Sequence, residues 1–280
     1  QITDSTFQYK YYKTHFLDNV NFADYRLLRT PLLEAKIDEY LDKVCLQIPD
    51  SLVKDVDHIV DLSKANDKVF KYTVQYVFNK YNNPKIMGMD RLFVHISDKY
   101  YLSGVAYWAK SDTAFINKLK DRVMKEKPNL IGEIAPELKL FDLNGNLVSL
   151  HNIDADYVVL YFFDTDCGHC QKIIPQWKKL NDEKLFASKK IVTLLVETQV
   201  DKKKMQDFIE KHGLQNYIMA YDPYQVTNFR TLYDIYSTPV PYVLDKNKKI
   251  IAKRIDPETI ADFLEKMLER DAALKAKEKK

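Results

Sequence analysis

Glycine is scarce in this chain of 280 residues, with only six: Gly88, Gly104, Gly132, Gly145, Gly168 and Gly213. At an average usage of about 7%, on the order of 20 would be present. No two lie close enough to build a phosphate cradle, which excludes a Rossmann fingerprint and a P-loop. Cysteine is scarcer still. Three cysteines cannot staple a chain of this length, and the odd count leaves at least one unpaired within a monomer. Neither sign of charge is in excess: 43 Lys+Arg face 40 Asp+Glu, a formal +3, with the signs interleaved. Nucleic acid is therefore not an expected partner. Long apolar runs are also lacking. The longest, Tyr157–Phe163, is far short of the roughly 18 residues of a membrane helix, and a soluble chain is expected. The first residue is Gln1 rather than Met, which implies a processed or truncated product whose address peptide would lie upstream.

What is present is apolar and aromatic, 46% and 12% of residues, enough for a large core and, at this length, about two domains. Up to about Lys127 the periodicity is helical. After Pro31, suited to a first turn, Leu33, Ile37, Leu41, Val44 and Ile48 form a stripe. A second helix starts at Asp50 or Ser51, a third runs from Val69 to Tyr81, Asp90 caps a fourth towards Gly104, and Ser111 caps a fifth. Residues 1–128 are expected to form a helical bundle.

From Leu130 the pattern turns to strands alternating with helices. Two apolar runs flank Asn144-Gly145, a hairpin signal. Tyr157–Phe163 and Ile191–Glu197 read as strands buried on both faces, the first followed by a helix over 170–186. Gly213 suits a helix C-terminus, and Asp256-Pro257 opens a last amphipathic helix. Residues 129–280 are expected to be an α/β domain with a central mixed sheet. No internal repeat is visible, and the lysine-rich end, 275–280, reads as a solvated helix end, with contact to an anionic membrane as the lesser alternative.

The chemistry gathers in Cys167-Gly168-His169-Cys170, where a buried strand runs through a short polar turn into a helix. Free amides and the positive pole of a helix N-terminus stabilise a thiolate on Cys167, the species that attacks disulfides. Cys170, one turn on, can then attack the mixed disulfide and release product. A protonated His169 would lower the Cys167 pKa further, and a Gly-His insert makes the couple more oxidising than Gly-Pro. The rival reading of CxxC is half of a zinc site. A second CxxC is absent and the six histidines have no HxxxH spacing, so no metal is expected. Cys45, next to the inner stripe of the first helix, reads as a buried structural thiol. Trp108, Trp177 and the nineteen tyrosines read as packing residues. Pro239 stands just before the run Tyr242-Val243-Leu244, and an X–Pro bond taken alone is cis in only about 5–6% of cases.

These residues together resemble the thioredoxin superfamily, and more closely its TlpA/ResA-like thiol–disulfide oxidoreductases. The likeness covers about Ile131 to Leu268 and rests on Ile131-Gly-Glu-Ile-Ala-Pro-Glu-Leu138, the CGHC motif, Pro175 five residues after Cys170, and Thr238-Pro239 before Tyr-Val-Leu-Asp. It implies a cis Thr238-Pro239 bond that faces the dithiol and offers backbone groups to a substrate strand. It also implies Cys167 as the exposed nucleophile and Cys170 as the buried resolving thiol. The helical half, with Leu27-Leu-Arg-Thr-Pro31 and Lys85-Ile-Met-Gly-Met-Asp90, looks like a domain of unassigned role found before TlpA-like domains in Gram-negative bacteria. Two departures stand out. Thioredoxins carry an aspartate six residues before the first cysteine, where this chain has Tyr161. ResA-like proteins often carry a glutamate three residues after the second, where it has Ile173. The proton acceptor for Cys170 is thereby unassigned, with Asp164, Asp166 and Glu197 as candidates.

The leading expectation is exchange of protein disulfides, in the reductive or isomerising direction, without a cofactor. Resemblance places it in the periplasm or cell envelope of a Gram-negative bacterium, recharged by a membrane or envelope thiol reductase. One alternative is an adaptor whose helical half binds a partner. A weaker one is a peroxiredoxin-like thiol peroxidase, whose chemistry wants Thr or Ser three residues before the reactive cysteine; Asp164 stands there.

Overall fold

The structure, a computed structural model, describes residues 5–185 and 191–278. The chain divides into two compact units, Gln1–Lys127 and Pro128–Lys280.

The first unit is helical: α1 Phe7–His15, α2 Leu32–Glu39, α3 Pro49–Ser63, α4 Asp67–Tyr81, α5 Asp90–Ile96 and α6 Thr113–Glu126. The apolar stripe after Pro31 holds for Leu33, Ile37, Leu41 and Val44, all buried, with the last two in a π-helical turn, Tyr40–Val44, that ends the rod. Ile48 leaves the stripe: it is exposed in the extended link just before α3. Asp112, not Ser111, caps α6 by accepting the Phe115 amide, and Asp90 is the first helical residue of α5 rather than its cap. α1 carries no apolar stripe and buries none of its residues, which is why periodicity did not announce it.

Alternate helices of this unit run parallel. Tyr72 bonds to Glu34, Tyr76 to Asp38 and Lys80 to Asp42, each pair 38 residues apart, so α2 and α4 share a direction. The same offset joins His95 to Asp57, and separations of 40 join Tyr107 to Asp67 and Arg122 to Asn82. Many tyrosines thus do more than pack: their hydroxyls reach carboxylates on the next helix but one. The tightest knot is Asp57, which accepts from His95 at 2.8 Å, Tyr100 at 2.7 Å and Lys99 at 2.8 Å. Burial acts to raise this carboxyl, but the three donors bring it down to about 2. Its contribution to stability is therefore complete above its ordinary value near 3.8 and is lost as pH falls towards about 2. Asp57→Ala should cost about 1–3 kcal/mol in denaturant unfolding at neutral pH, the penalty for stranding buried donors. That cost should shrink as the pH is lowered through about 4 towards 2.

In the second unit a hairpin, β1 Lys139–Phe141 and β2 Leu147–Ser149, turns through Gly145 at φ +86°, a left-handed conformation that glycine adopts freely. Then follow β3 Tyr157–Phe163, α7 Cys170–Leu180, β4 Ile191–Glu197, α8 Lys202–His212, β5 Ile218–Tyr221, α9 Phe229–Leu232, β6 Val240–Asp245, β7 Ile250–Lys253 and α10 Pro257–Glu278. The expected helix over 170–186 is α7 to Leu180 and then a π-helical turn to Leu185; Phe186 lies outside the described residues. Lys275 and Lys277 are exposed on α10, while Lys279 and Lys280 also lie outside the described residues.

The strands form one mixed sheet in the order β2-β1-β5-β4-β3-β6-β7. β3 is parallel to β4, and β4 to β5, whereas β6 is antiparallel to β3. All seven residues of β3 are buried. Val158, Leu160 and Phe162 point to a core shared with Phe229 and Tyr233, while Val159, Tyr161 and Phe163 meet Ile174, Trp177, Phe208 and Leu264 on the other face. α7, α8 and α10 therefore cover one face, and α9 the other. Trp177 is fully buried there, and its indole N–H donates to Thr193 Oγ1 at 3.1 Å. Trp177→Ala should cost about 3–5 kcal/mol in denaturant unfolding of the second unit, through lost burial and the cavity left behind.

Candidate active site

The site begins where β3 and β4 end side by side, with Phe163 paired to Glu197. Beyond Phe163 the polar segment Asp164-Thr165-Asp166 turns sharply. The Asp166 amide donates to Asp164 Oδ1 at 2.8 Å and the Cys167 amide to the Asp164 carbonyl at 3.1 Å. The Gln171 amide then bonds to the Cys167 carbonyl and that of Ile173 to His169, so helical bonding starts within the motif and α7 opens at Cys170. The first amides of a helix have no partner inside it, and here they meet sulfur.

The two thiols lie in opposite environments. Cys167 is partly exposed and Cys170 fully buried. Burial acts to raise the Cys167 thiol, but the Cys170 amide, the Thr238 and Cys170 side chains and the His169 amide outweigh it and hold it below its ordinary value. Burial pushes the Cys170 thiol up to about 12, against the Asp164 amide at 3.5 Å and the Thr238 side chain, while a charge on Cys167 pushes it further. One sulfur is thus prepared as a thiolate and the other kept as a thiol. Cys45 lies in the first unit, buried, and its thiol is pushed up to about 12 by burial and by the charge of Asp55.

His169 contributes to the Cys167 sulfur through its main-chain amide; its side chain is exposed. Gly168 is exposed too, outside the left-handed region, with open space where a Cβ would stand, so no steric demand requires glycine there. The Thr238-Pro239 bond is cis, and the Thr238 carbonyl accepts from the Cys167 thiol at 3.4 Å. Pro239 lines a cavity of about 320 Å³ with Tyr161, Ile173, Val240, Arg254 and Ile255. Tyr161 is fully buried, and burial drives its phenol far above the ordinary range, so neither departure from the family pattern places a carboxyl beside Cys170.

The three acidic candidates have separated. Asp164 accepts from Gln199 Nε2 at 2.8 Å, and Asp166 pairs with Lys204 at 2.5 Å on the surface. Glu197 is buried, held by the amides of Thr165 and Gln199. Lys204, Thr165 and Gln199 escaped sequence reasoning. No local pattern marks a residue whose role is to neutralise or hold a loop that arrives from another strand.

The thiol–disulfide oxidoreductase ResA of Bacillus thuringiensis (strain Al Hakam) is 23% identical over 173 residues, covering 62% of this chain and 92% of its own length. The chain is similar to TlpA/ResA-like proteins of the thioredoxin superfamily. It is an oxidoreductase of the thiol–disulfide family with an additional N-terminal helical domain. ResA of Geobacillus thermodenitrificans is 29% identical over 138 residues, 48% of this chain and 76% of that protein. The AhpC/TSA family model matches residues 131–253, and a domain of unknown function, DUF5106, matches residues 1–126. A thioredoxin-like protein from Bacteroides caccae shares the fold, with TM-score 0.61 and 22% identity over 94% of both chains.

The environments of the three thiols set an order of reactivity. With iodoacetamide near neutral pH, Cys167 should be alkylated at least about tenfold faster than Cys170 or Cys45, as thiolate content dictates. Peptide mapping after partial modification checks this, and first labelling at Cys170 or Cys45 would contradict the geometry.

Proposed function

We propose that Cys167 and Cys170 exchange disulfides with protein substrates, Cys167 as the attacking thiolate and Cys170 as the resolving thiol. What carries the reading is the pair of opposite displacements at one helix N-terminus: an accessible sulfur held low beside a buried sulfur pushed up to about 12. In the reductive direction the Cys167 thiolate attacks one sulfur of the substrate disulfide, and the electron pair of the broken bond leaves on the other. Cys170, losing its proton, then attacks the Cys167 sulfur. The Cys167–Cys170 bond forms, the bond to substrate breaks, and the substrate leaves with the two electrons of the dithiol. Isomerisation shares the first step. Thr238 and Pro239 line the approach to Cys167 and would hold an extended substrate strand, while His169 and Gly168 present the amides of the motif.

We assign the activity to the second unit, about residues 129–280; the alternative is an adaptor whose helical unit, about 1–128, binds a partner. The family resemblance favours a setting outside the cytoplasm, in the periplasm or envelope, with a membrane thiol reductase restoring the dithiol. Among the described residues no helix is long and apolar enough to cross a membrane. The AhpC/TSA match favours a second reading, a thiol peroxidase, against which Asp164 stands three residues before Cys167.

The full chain should catalyse dithiol-driven reduction of insulin, and Cys167→Ser should abolish it; full activity in that variant sinks the reading. Cys170→Ser should accumulate mixed disulfides with substrate proteins, whereas rapid peroxide turnover without them would favour the peroxidase. His169→Pro removes an amide that serves the Cys167 thiolate and destabilises the reduced form. The reduction potential should therefore fall, by about 30 mV for a tenfold change in the exchange constant, as measured by equilibration with glutathione.

A further inference from the structure

Glu197 is the buried acid that these exchange steps leave without a task. It closes β4 opposite Phe163 and is 1% exposed. Its Oε2 accepts the Thr165 amide at 3.1 Å and its Oε1 the Gln199 amide at 3.0 Å. The neighbouring amide of the same turn, that of Asp164, points to Cys170 Sγ at 3.5 Å. Two consecutive N–H groups are thus divided between a buried carboxyl and the buried sulfur. Glu197 also lines a cavity of about 250 Å³ with Asp222, Asn228 and Arg230.

We propose that Glu197 is a positioning residue for the resolving thiol: by holding the Thr165 amide, it keeps the Asp164 amide turned towards Cys170 Sγ. The inference rests on the dithiol reading above and deepens it. A carboxylate accepts such bonds more strongly than a neutral acid, so the hold tightens as the group ionises. Burial raises the Glu197 carboxyl to about 7, with the Asp164 charge acting the same way and the amides of Gln199, Thr165 and Thr198 opposing. The charged groups around it are Asp164 from the loop after β3, Asp222 from the loop after β5, Arg230 on α9 and, further out, Lys204 on α8 paired with Asp166. Arg230 spends a guanidinium N–H on the Thr198 carbonyl at 2.9 Å. The hold therefore strengthens as pH rises through neutrality, and with it the donor that stabilises the Cys170 thiolate during resolution.

The test uses the full reduced chain and an aromatic disulfide, dithiobis-nitrobenzoate. Release of the first coloured thiolate reports attack by Cys167, and release of the second reports resolution by Cys170. In Glu197→Gln the first release should stay within about twofold of wild type. The second should slow about tenfold, the effect of one charge-assisted bond, and lose the rise near neutral pH expected of wild type. An unchanged second release overturns the proposal. A faster one does too, because it would mean that repulsion between carboxylate and thiolate outweighs the hold. Absence of the first release from wild type would instead overturn the dithiol reading, and this inference with it. Should the variant fail to fold, nitrogen-15 NMR of the reduced wild type decides: the Thr165 amide shift should titrate with the Glu197 carboxyl, and a Thr165 shift flat through neutral pH overturns the proposal.

Discussion

Strand β3 is hydrogen-bonded along both edges, to β4 and β6, and buried on both faces. A strand so enclosed cannot slip: a shift of one residue would exchange the two faces and break both ladders. Its end is therefore fixed, and the site is measured from that end. The turn after Phe163 sets down Cys167, and α7 starts at Cys170 with that sulfur already in the core. β6 runs antiparallel to β3, so its beginning, with Thr238-Pro239 just ahead, comes to the same end of the sheet. β4 runs parallel and delivers its own last residue, Glu197. Dithiol, proline loop and buried acid meet because three neighbouring strands end or begin there.

Within that frame, two chemically identical thiols three residues apart differ through their surroundings alone. Desolvation disfavours the thiolate at both. At Cys167 it is small enough for two helix-end amides and the side chains of Thr238 and Cys170 to reverse it; at Cys170, inside the core, it is not. The separation is directional. The exposed sulfur is biased towards the thiolate relative to a free thiol, and the buried one is held as a thiol.

The helical unit is held differently. Its apolar stripes supply burial, but polar bridges at separations of about 40 residues set the direction of alternate helices. DUF5106 is its matching family model.

Much of this was legible in the chain itself. β3 and β4 were readable to the residue because buried strands are nearly continuous apolar runs, broken in β4 only by Thr193 and the terminal Glu197, and the dithiol, the Asp256 cap and the Gly213 terminus are written in local spacing. Ile48, the π-helical turns, α1 and the Asp112 cap were not, because periodicity cannot say where a stripe stops being needed. Nor could it pair Tyr76 with Asp38, or choose among Asp164, Asp166 and Glu197. Sequence alone placed two cysteines at a helix N-terminus, because the motif and the amides beside it are local. Only the tertiary structure decided which thiol is buried, which acid is sealed in and which backbone carbonyl meets sulfur, because desolvation and long-range hydrogen bonds depend on strands that the chain brings together from afar.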